Sequence, residues 1–231
     1  MNPYRRAFVD ILHSLDNAAR AAARPEAPRL LAVSKTRSAD EVAALTELGQ
    51  RAFGENYVQE AAGKIAALAG RGLEWHLVGH LQSNKAREAA ALFDWVQTVD
   101  RARLVAELAR HRGADSPPLN VLLQVNIDDE ASKHGCRPDE LAALARAVAA
   151  EPRLVLRGLM AIPAPHADPE QGRSAFARMR ELFERLRASH PQADTLSMGM
   201  SGDFAIAIAE GATMVRVGSA LFGPRPAKEN A

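Results

Sequence analysis

The chain lacks the features that mark several specialised classes of protein. Its one cysteine, Cys136, excludes an internal disulfide framework, and we expect a minor thiol in a reducing compartment. No apolar run approaches the about 18 residues that cross a bilayer, so we expect no membrane contact. Formal net charge is +1 without a basic block, so we expect no nucleic acid partner. The N-terminus has no hydrophobic signal core, and these observations together predict a cytoplasmic protein.

What the chain does contain is a regular alternation of short apolar runs and longer amphipathic ones. With 231 residues, 47% of them hydrophobic, it can bury a large core. The apolar runs predict strands near 29–34, 51–54, 74–79, 95–99, 119–126, 154–160, 195–199 and 213–218. The amphipathic runs predict helices near 39–49, 56–69, 84–92, 101–112, 138–150, 170–189 and 202–210. Ser38 and Glu41 are spaced as a capping box, and Asp100 is placed to cap the helix that follows it.

Eight strand-then-helix units without a Pro/Gly/Ser-rich linker predict one parallel α/β domain. A doubly wound sheet usually has five or six strands, whereas a (β/α)₈ TIM barrel needs eight, so the count favours the barrel. Helical spacing of apolar residues near the start adds a leading helix. We therefore expect a single domain over 1–231, with a leading helix and linker at 1–28, the barrel at 29–223 and a tail at 224–231.

Lys35 ends the first apolar run and should face the barrel mouth, where the functional loops of this fold lie. Partial burial lowers the pKa of an amine, and a neutral amine can attack an aldehyde. A solvated lysine at a strand end is the alternative interpretation of this residue alone.

The last two strand ends carry turns suited to phosphate. Ser201 lies where the seventh strand passes into a helix, and Gly218-Ser219 opens a short last helix. Helix starts bind anions through their free N–H groups, and loops after strands seven and eight commonly hold phosphate in this fold. Ser201 could instead be an ordinary N-cap. Two such turns in the expected places favour a phosphate site.

Two further polar residues have open roles. Arg216 lies inside a run that should be a core strand, where a guanidinium needs a partner. A structural salt bridge and a hydrogen bond to a ligand, such as a ring nitrogen, both fit. Asn56 follows the second strand and is placed either to cap a helix or to touch a ligand.

The remaining polar segments suggest no metal site. His76 and His80 could be metal ligands, but no carboxylate or cysteine stands nearby at ligand spacing, so we expect core or mouth-lining histidines and no metal. The acidic segment 125–135 does not fit a calcium loop and is expected to be a solvated loop. The proline-rich segment 163–169 is the expected mobile rim of the mouth.

Six long motifs, in order, make the chain resemble the pyridoxal phosphate homeostasis proteins, the family of YggS and PROSC. They span almost the whole chain, from about Leu30 to Gly223. The motifs are AVSKT at 32–36, FGENYVQE at 53–60, WHLVGHLQSNK at 75–85, RGLMAIP at 157–163, LSMGMSGDF at 196–204 and VRVGSALFG at 215–223.

The resemblance implies a barrel like the N-terminal domain of alanine racemase, with pyridoxal 5′-phosphate at its mouth. Lys35 matches the lysine of the internal aldimine, and Arg216 the arginine that faces the pyridine nitrogen. The phosphate contacts match Ser201, Gly218 and Ser219, with Asn56 as a further ligand-side residue. Ser219 stands where many relatives have threonine, and it keeps the hydroxyl.

The resemblance also implies a function in vitamin B6 and amino-acid/keto-acid homeostasis. A cation facing the pyridine nitrogen makes the ring a weaker electron sink, and the chain ends soon after strand eight, without a second domain to deliver a catalytic group. Both points favour a carrier that buffers or delivers the cofactor, with apoenzymes as possible recipients and a monomer as the expected state. A small racemase or lyase that uses the same cofactor, and a cofactor-free Schiff-base aldolase, stay open as alternatives.

Overall fold

Eight parallel strands close into a barrel in a computed structural model that describes residues 2–130 and 133–224. The first strand pairs with both the second and the last, which closes the sheet. The strands are β1 Arg29–Val33, β2 Ala52–Glu55, β3 Glu74–Leu77, β4 Trp95–Val99, β5 Leu119–Gln124, β6 Leu154–Met160, β7 Thr195–Ser197 and β8 Met214–Val217. The prediction of a (β/α)₈ TIM barrel is confirmed.

Helices alternate with the strands, as the sequence predicts. They are α1 Arg5–Ala21, α2 Ala39–Glu47, α3 Val58–Ala67, α4 Ala86–Leu92, α5 Ala102–His111, α6 Leu141–Ala149, α7 Arg173–Ser189, α8 Phe204–Ala209 and α9 Ser219–Phe222. Single 3₁₀ turns precede α4 and α7, at Ser83–Lys85 and Pro169–Gly172. None of the helices in the described part of the chain is both long and apolar enough to cross a membrane.

The strands are buried on both faces, as parallel strands covered by helices must be. In β1, Leu30 and Ala32 join the large cluster that includes residues of the surrounding helices, such as Phe8 and Val42. Leu31, which lies between them, belongs instead to a small cluster with Met214. Because successive side chains of a strand point to opposite faces, Leu31 points into the barrel and its two neighbours point outward.

Local signals set several of the boundaries. The leading helix α1 buries Phe8, Ile11 and Leu15, which confirms the predicted helix at the start of the chain. Ser38 and Glu41 form the predicted capping box at α2. The predicted cap at Asp100 is wrong: Arg101 is the N-cap residue of α5. The division at 28 and 223 stays a prediction, and residues 225–231 of the predicted tail lie outside the described part.

Candidate functional site

A cavity of about 300 Å³ opens at the carboxyl ends of the strands. This volume lies at the small end of the range typical of small-molecule sites. All six residues predicted for the site line it, namely Lys35, Asn56, Ser201, Arg216, Gly218 and Ser219. The structure therefore brings together residues that are up to 184 positions apart along the chain, the separation of Lys35 from Ser219.

The backbone is anchored on both sides of Lys35. The buried Ser34 hydroxyl donates a hydrogen bond to Glu55 Oε1 at 2.5 Å. The Thr36 N–H donates to Glu60 Oε1 at 2.5 Å, and Thr36 adopts a left-handed conformation with φ of +65°. Left-handed backbone is unfavourable for a β-branched residue and persists only where the surroundings impose it. Lys35 is thus carried on a rigid turn at the cavity wall.

A second lysine, Lys64 of α3, stabilises this turn through hydrogen bonds. Its Nζ donates hydrogen bonds to Ser34 O at 2.7 Å, Glu55 Oε1 at 2.8 Å and Glu60 Oε1 at 2.7 Å. Burial raises the pKa of the Glu55 carboxyl, against the lowering effect of the hydrogen bonds from Lys64 and Ser34. Sequence reasoning missed Lys64, because a helical lysine four residues after a glutamate is usually a solvated surface pair.

The turn after β7 presents backbone donors to the cavity. The Met200 N–H donates to Asp203 Oδ1 at 2.6 Å, and Asp203, not Ser201, is the N-cap residue of α8. The interpretation of Ser201 as an ordinary N-cap is therefore wrong. Among the described residues, no backbone carbonyl accepts the N–H groups of Ser201 and Gly202. These donors and the Ser201 hydroxyl are available to an anion.

Gly199 gives this turn its shape. Its φ is +90°, and a Cβ at this position would meet the Ala207 Cβ at 2.6 Å. The Gly199 carbonyl accepts a hydrogen bond from the Arg216 N–H at 3.0 Å. The turn after β7 is thereby attached to β8, and it lies beside the second turn, Gly218-Ser219.

Arg37, which sequence reasoning missed, also lines the cavity near the second turn. Its guanidinium donates to Gly223 O at 2.6 Å and to Pro224 O at 2.8 Å. It also lies over the Phe222 ring, 5.6 Å from the ring centroid. Arg37 therefore fastens the segment after α9 to the loop after β1, and its charge is paired with Glu41 Oε1 at 3.4 Å. No sequence rule separates it from an ordinary surface arginine.

Arg216 lies on β8 with only 4% of its surface exposed, yet it is among the residues that line the cavity. It donates to Ser197 Oγ and to Ala161 O, both at 2.8 Å. Burial lowers its pKa to about 10, so the group stays protonated at neutral pH. Because both partners are neutral, and no ion pair of Arg216 occurs within the described ranges, the salt-bridge interpretation is wrong.

Behind Arg216, a column of polar side chains crosses the barrel interior. The Ser197 hydroxyl donates to Gln97 Oε1 at 2.7 Å, and Gln97 Nε2 donates to His76 Nδ1 at 2.9 Å. His76 Nε2 then donates to Glu74 Oε1 at 2.5 Å. Glu74 also pairs with Arg29, the first residue of β1, at 2.8 Å. His76 is therefore a core residue, one of the two roles that the sequence left open.

Asn56 is placed in the cavity wall by a close backbone approach. A Cβ at Gly79 would lie 2.1 Å from the Asn56 carbonyl oxygen, so only glycine fits there. Tyr57, not Asn56, is the N-cap residue of α3, and no side-chain cap is formed. The capping interpretation of Asn56 is thus wrong, and its amide is available at the cavity.

Two segments at the rim of the barrel mouth, the loop after β5 and the segment after β6, are joined by a hydrogen bond. His80 is exposed and lines a neighbouring pocket that shares Asn56 with the main cavity. In the acidic segment, Asp128 Oδ2 accepts a hydrogen bond from the Ala164 N–H at 2.6 Å. The loop after β5 thus contacts the proline-rich segment after β6. Mobility of 163–169 stays a prediction, and residues 131 and 132 lie outside the described part.

The donor set defines what the cavity can bind. Its lining includes the Lys35 amine, the buried Arg216, whose guanidinium contacts a neutral hydroxyl, the two serine-bearing turns and Arg37. Amines condense with aldehydes, and turns of this kind bind phosphate. The arrangement therefore suits a small molecule with an aldehyde and a phosphate group.

Comparison with known proteins gives a consistent result. The sequence profile of the family "Alanine racemase, N-terminal domain" matches residues 10–226. The pyridoxal phosphate homeostasis protein of Escherichia coli K12 is 51% identical over 227 residues, covering 94% of this chain and 97% of that protein. PipY of Synechococcus elongatus, solved with PLP bound, is 35% identical with a TM-score of 0.82, covering 95% and 100% of the two chains.

A more distant likeness concerns the fold alone. The alanine racemase of Corynebacterium glutamicum is 18% identical with a TM-score of 0.68. The match covers 94% of this chain but 63% of the racemase chain. This comparison supports the barrel architecture.

Proposed function

The chain belongs to the pyridoxal phosphate homeostasis protein family, and from that membership we propose that it binds pyridoxal 5′-phosphate as an imine with Lys35 and buffers or delivers it. The observation that carries the proposal is the placement of Lys35, Arg216 and both serine-bearing turns around one cavity. The PLP-bound structure of PipY, at 35% identity, supports the choice of ligand.

The residues present fit this cofactor group by group. The Lys35 amine meets the aldehyde, and the phosphate is held by Ser201, Ser219 and the backbone at Gly218. The Asn56 amide would be a further ligand-side contact. The Arg216 guanidinium would face the pyridine nitrogen. Each assignment uses a side chain or N–H that lines the cavity.

Pyridoxal phosphate, when bound, supplies an aldehyde and an aromatic ring that can accept electrons. Lys35 would hold the cofactor through its aldehyde group, in a linkage that water or a second amine could reverse. Arg216 keeps its own proton, since its lowered pKa of about 10 is still well above neutral pH. Its donors would complement an unprotonated ring nitrogen, and such a ring would be a weaker electron sink.

A weak electron sink suits storage better than turnover. We infer that the protein limits free reactive aldehyde and passes the cofactor to apoenzymes that depend on it. We place this function in the cytoplasm, in agreement with the single cysteine, and expect a monomer.

The covalent part of the proposal is tested by absorbance and mass spectrometry. Purified protein mixed with pyridoxal phosphate should show the visible absorbance of an imine, and borohydride reduction should fix the label on the peptide that contains Lys35. Lys35→Ala should lose both signals while keeping the circular dichroism of the parent. Lys85→Ala is the matched control at the mouth, and it should retain both. An unchanged visible absorbance in Lys35→Ala would overturn the assignment.

The carrier function is tested separately, by exchange at the amino-acid Cα. The protein with bound cofactor is incubated with single L-amino acids in deuterated water and followed by NMR. We expect exchange no faster than with free pyridoxal phosphate, together with transfer of cofactor to an added apoenzyme. Rapid Cα exchange, or formation of the D-isomer, would favour a racemase or lyase instead.

A further inference from the structure

Three potential metal ligands converge at the rim of the barrel, outside the main cavity. His80 follows β3, Asp100 follows β4 and His134 lies in the loop after β5. One ligand atom of each lies within 4.8 Å of the others. The two imidazole rings are stacked, with centroids 3.6 Å apart and an interplanar angle of 14°. None of these residues has a part in the proposed cofactor chemistry.

The distances between these three ligand atoms are close to those that a single bound ion requires. Zinc binds histidine nitrogen and carboxylate oxygen at about 2.0–2.2 Å, so two of its ligand atoms lie at most roughly 4.4 Å apart. In tetrahedral coordination they lie roughly 3.4 Å apart, so atoms already within 4.8 Å of one another need to approach by roughly 1.5 Å at most. Both histidines are exposed, so their rings are free of core packing and can splay apart by side-chain rotation.

The chemistry of the three side chains also suits a metal. A neutral imidazole has the lone pair that a metal needs, whereas an imidazolium has none. The carboxylate of Asp100 adds negative charge, and only 9% of that side chain is exposed.

The three residues are held by a surrounding layer of hydrogen bonds. Arg101 binds Asp100 Oδ1 at 2.5 Å and Leu81 O at 3.0 Å, which leaves the second carboxylate oxygen for a ligand. Thr98 Oγ1 donates to Gly79 O at 2.9 Å, next to His80. Gln124 Nε2 donates to His134 O at 3.2 Å. The Arg101 contact orients the Asp100 carboxylate, as partners of metal ligands do, and the other two bonds fix the backbone at the two histidines.

We propose that His80, Asp100 and His134 bind a divalent transition-metal ion of the zinc class, with water completing the coordination. Two imidazoles and one carboxylate match the ligand types that zinc prefers, and three protein ligands leave a position open. Oxygen-seeking ions such as magnesium and calcium are disfavoured by the two nitrogen ligands. This proposal does not depend on the proposed cofactor function.

The ion would join the ends of three neighbouring strands at the mouth. His80 lines the pocket that shares Asn56 with the main cavity, and His134 lies in the loop that contacts the segment after β6 through Asp128. A bound ion therefore ties the loop after β5 to the end of β3. Sequence reasoning predicted no metal because it considered only neighbours along the chain, whereas the fold supplies the carboxylate and the second imidazole.

The test is a zinc titration of the full chain, freed of metal and of unbound pyridoxal phosphate. Competition with a chromophoric chelator should give one equivalent of zinc per chain. His80→Ala and His134→Ala should each weaken binding at least about 100-fold, and Asp100→Asn about 10–100-fold. His13→Ala, an exposed histidine on α1, is the matched control and should leave affinity unchanged.

A second test measures thermal stability with and without zinc. Zinc should raise the melting temperature of the parent and of His13→Ala, because a ligand that binds only the folded state stabilises it. The double variant His80→Ala/His134→Ala should fold with the same circular dichroism and show no rise. Zinc binding of equal strength in the double variant, or no saturable binding by the parent, would overturn the proposal.

Discussion

Arg216 shows how a buried cation is accommodated by neutral hydrogen-bond partners, with no direct ion pair in the described part of the chain. Its guanidinium is bonded to the Ser197 hydroxyl and the Ala161 carbonyl, both neutral acceptors. Hydrogen bonds to a charged group stabilise by about 1.5–3 kcal/mol each, which offsets part of the cost of burial. The charge is therefore retained, and directed at the cavity, because the acceptors behind it are fixed.

Ser197 is the residue on which this arrangement depends most directly. We expect Ser197→Ala to lower the free energy of unfolding by about 1.5–3 kcal/mol, because the guanidinium loses an acceptor and Gln97 loses a donor. Urea denaturation at pH 7 measures the change. Because Arg216 is then less well placed, affinity for pyridoxal phosphate should also fall, by about 10-fold on the scale of one such bond.

The matched control for this change is Ser189→Ala, an exposed serine at the end of α7. It removes the same hydroxyl group from a solvated position, so both stability and cofactor affinity should stay within error of the parent. Equal stability of Ser197→Ala and Ser189→Ala would contradict the assigned role of Ser197.

At the scale of elements, the turn after β1 is stabilised by contacts with α3. Lys64 reaches from α3 to the Ser34 carbonyl and to two carboxylates, Glu55 on β2 and Glu60 on α3. Removing one partner of a buried ion pair costs about 3–5 kcal/mol, since the other charge is left uncompensated. Three elements therefore depend on one ammonium group.

We expect Lys64→Met to lower the free energy of unfolding by about 3 kcal/mol and to weaken retention of pyridoxal phosphate, because the turn that carries Lys35 loses its support. Urea denaturation measures the first effect and loss of visible absorbance on dialysis measures the second. Lys64→Met/Glu55→Gln should recover most of the stability, since no buried charge remains, but not the retention. Full recovery of both by the double variant would show that Lys64 has no part in positioning the turn.

The strands and helices were largely predictable from the sequence, whereas the interaction of Lys64 with the turn after β1 was not. Strand ends and the capping box at Ser38 follow from apolar runs and local hydrogen bonding, which depend on neighbours in sequence. The six cavity residues follow from the order of the strands and from family motifs. The role of Lys64 depends on how α3 packs on β2, which no local sequence pattern indicates. Asn56 and Ser201 were ambiguous for a different reason. A polar residue just before a helix can either cap that helix or contact a ligand, and the sequence pattern is the same in both cases.

At the scale of the whole molecule, the polar column connects the two ends of the barrel. It runs from Arg29 and Glu74 at the amino ends of the strands, through His76 and Gln97, to Ser197 and Arg216 at the mouth. Ser197 and Gln97 are 100 residues apart along the chain. No periodicity or local motif predicts such a contact, because it arises only when the sheet closes.

The base of the column should make stability dependent on pH. Although burial raises the pKa of Glu74, hydrogen bonding from His76 and the Arg29 ion pair outweigh it and lower the pKa from 4.5 to about 2. A carboxylate with a lowered pKa stabilises the fold above its unfolded pKa, and this stabilisation is lost as pH falls from about 4.5 towards 2. Burial lowers the pKa of His76, so the unfolded state takes up a proton first, and this too reduces stability as pH falls.

We therefore expect Glu74→Gln to lower the free energy of unfolding by about 1–3 kcal/mol at pH 7, with the difference from the parent shrinking as pH falls below 4.5. We expect less than the full free energy that corresponds to the pKa shift of Glu74. Part of its side chain is exposed to solvent, and neutral His76 contributes only a hydrogen bond. Urea denaturation at pH 7, 5, 4 and 3 measures the two curves. Glu47→Gln, an exposed glutamate on α2, is the matched control and should follow the parent. Parallel curves for Glu74→Gln and the parent across this range would mean that the Arg29 and His76 contacts do not stabilise the ionised carboxylate, and that the column is not anchored at its base.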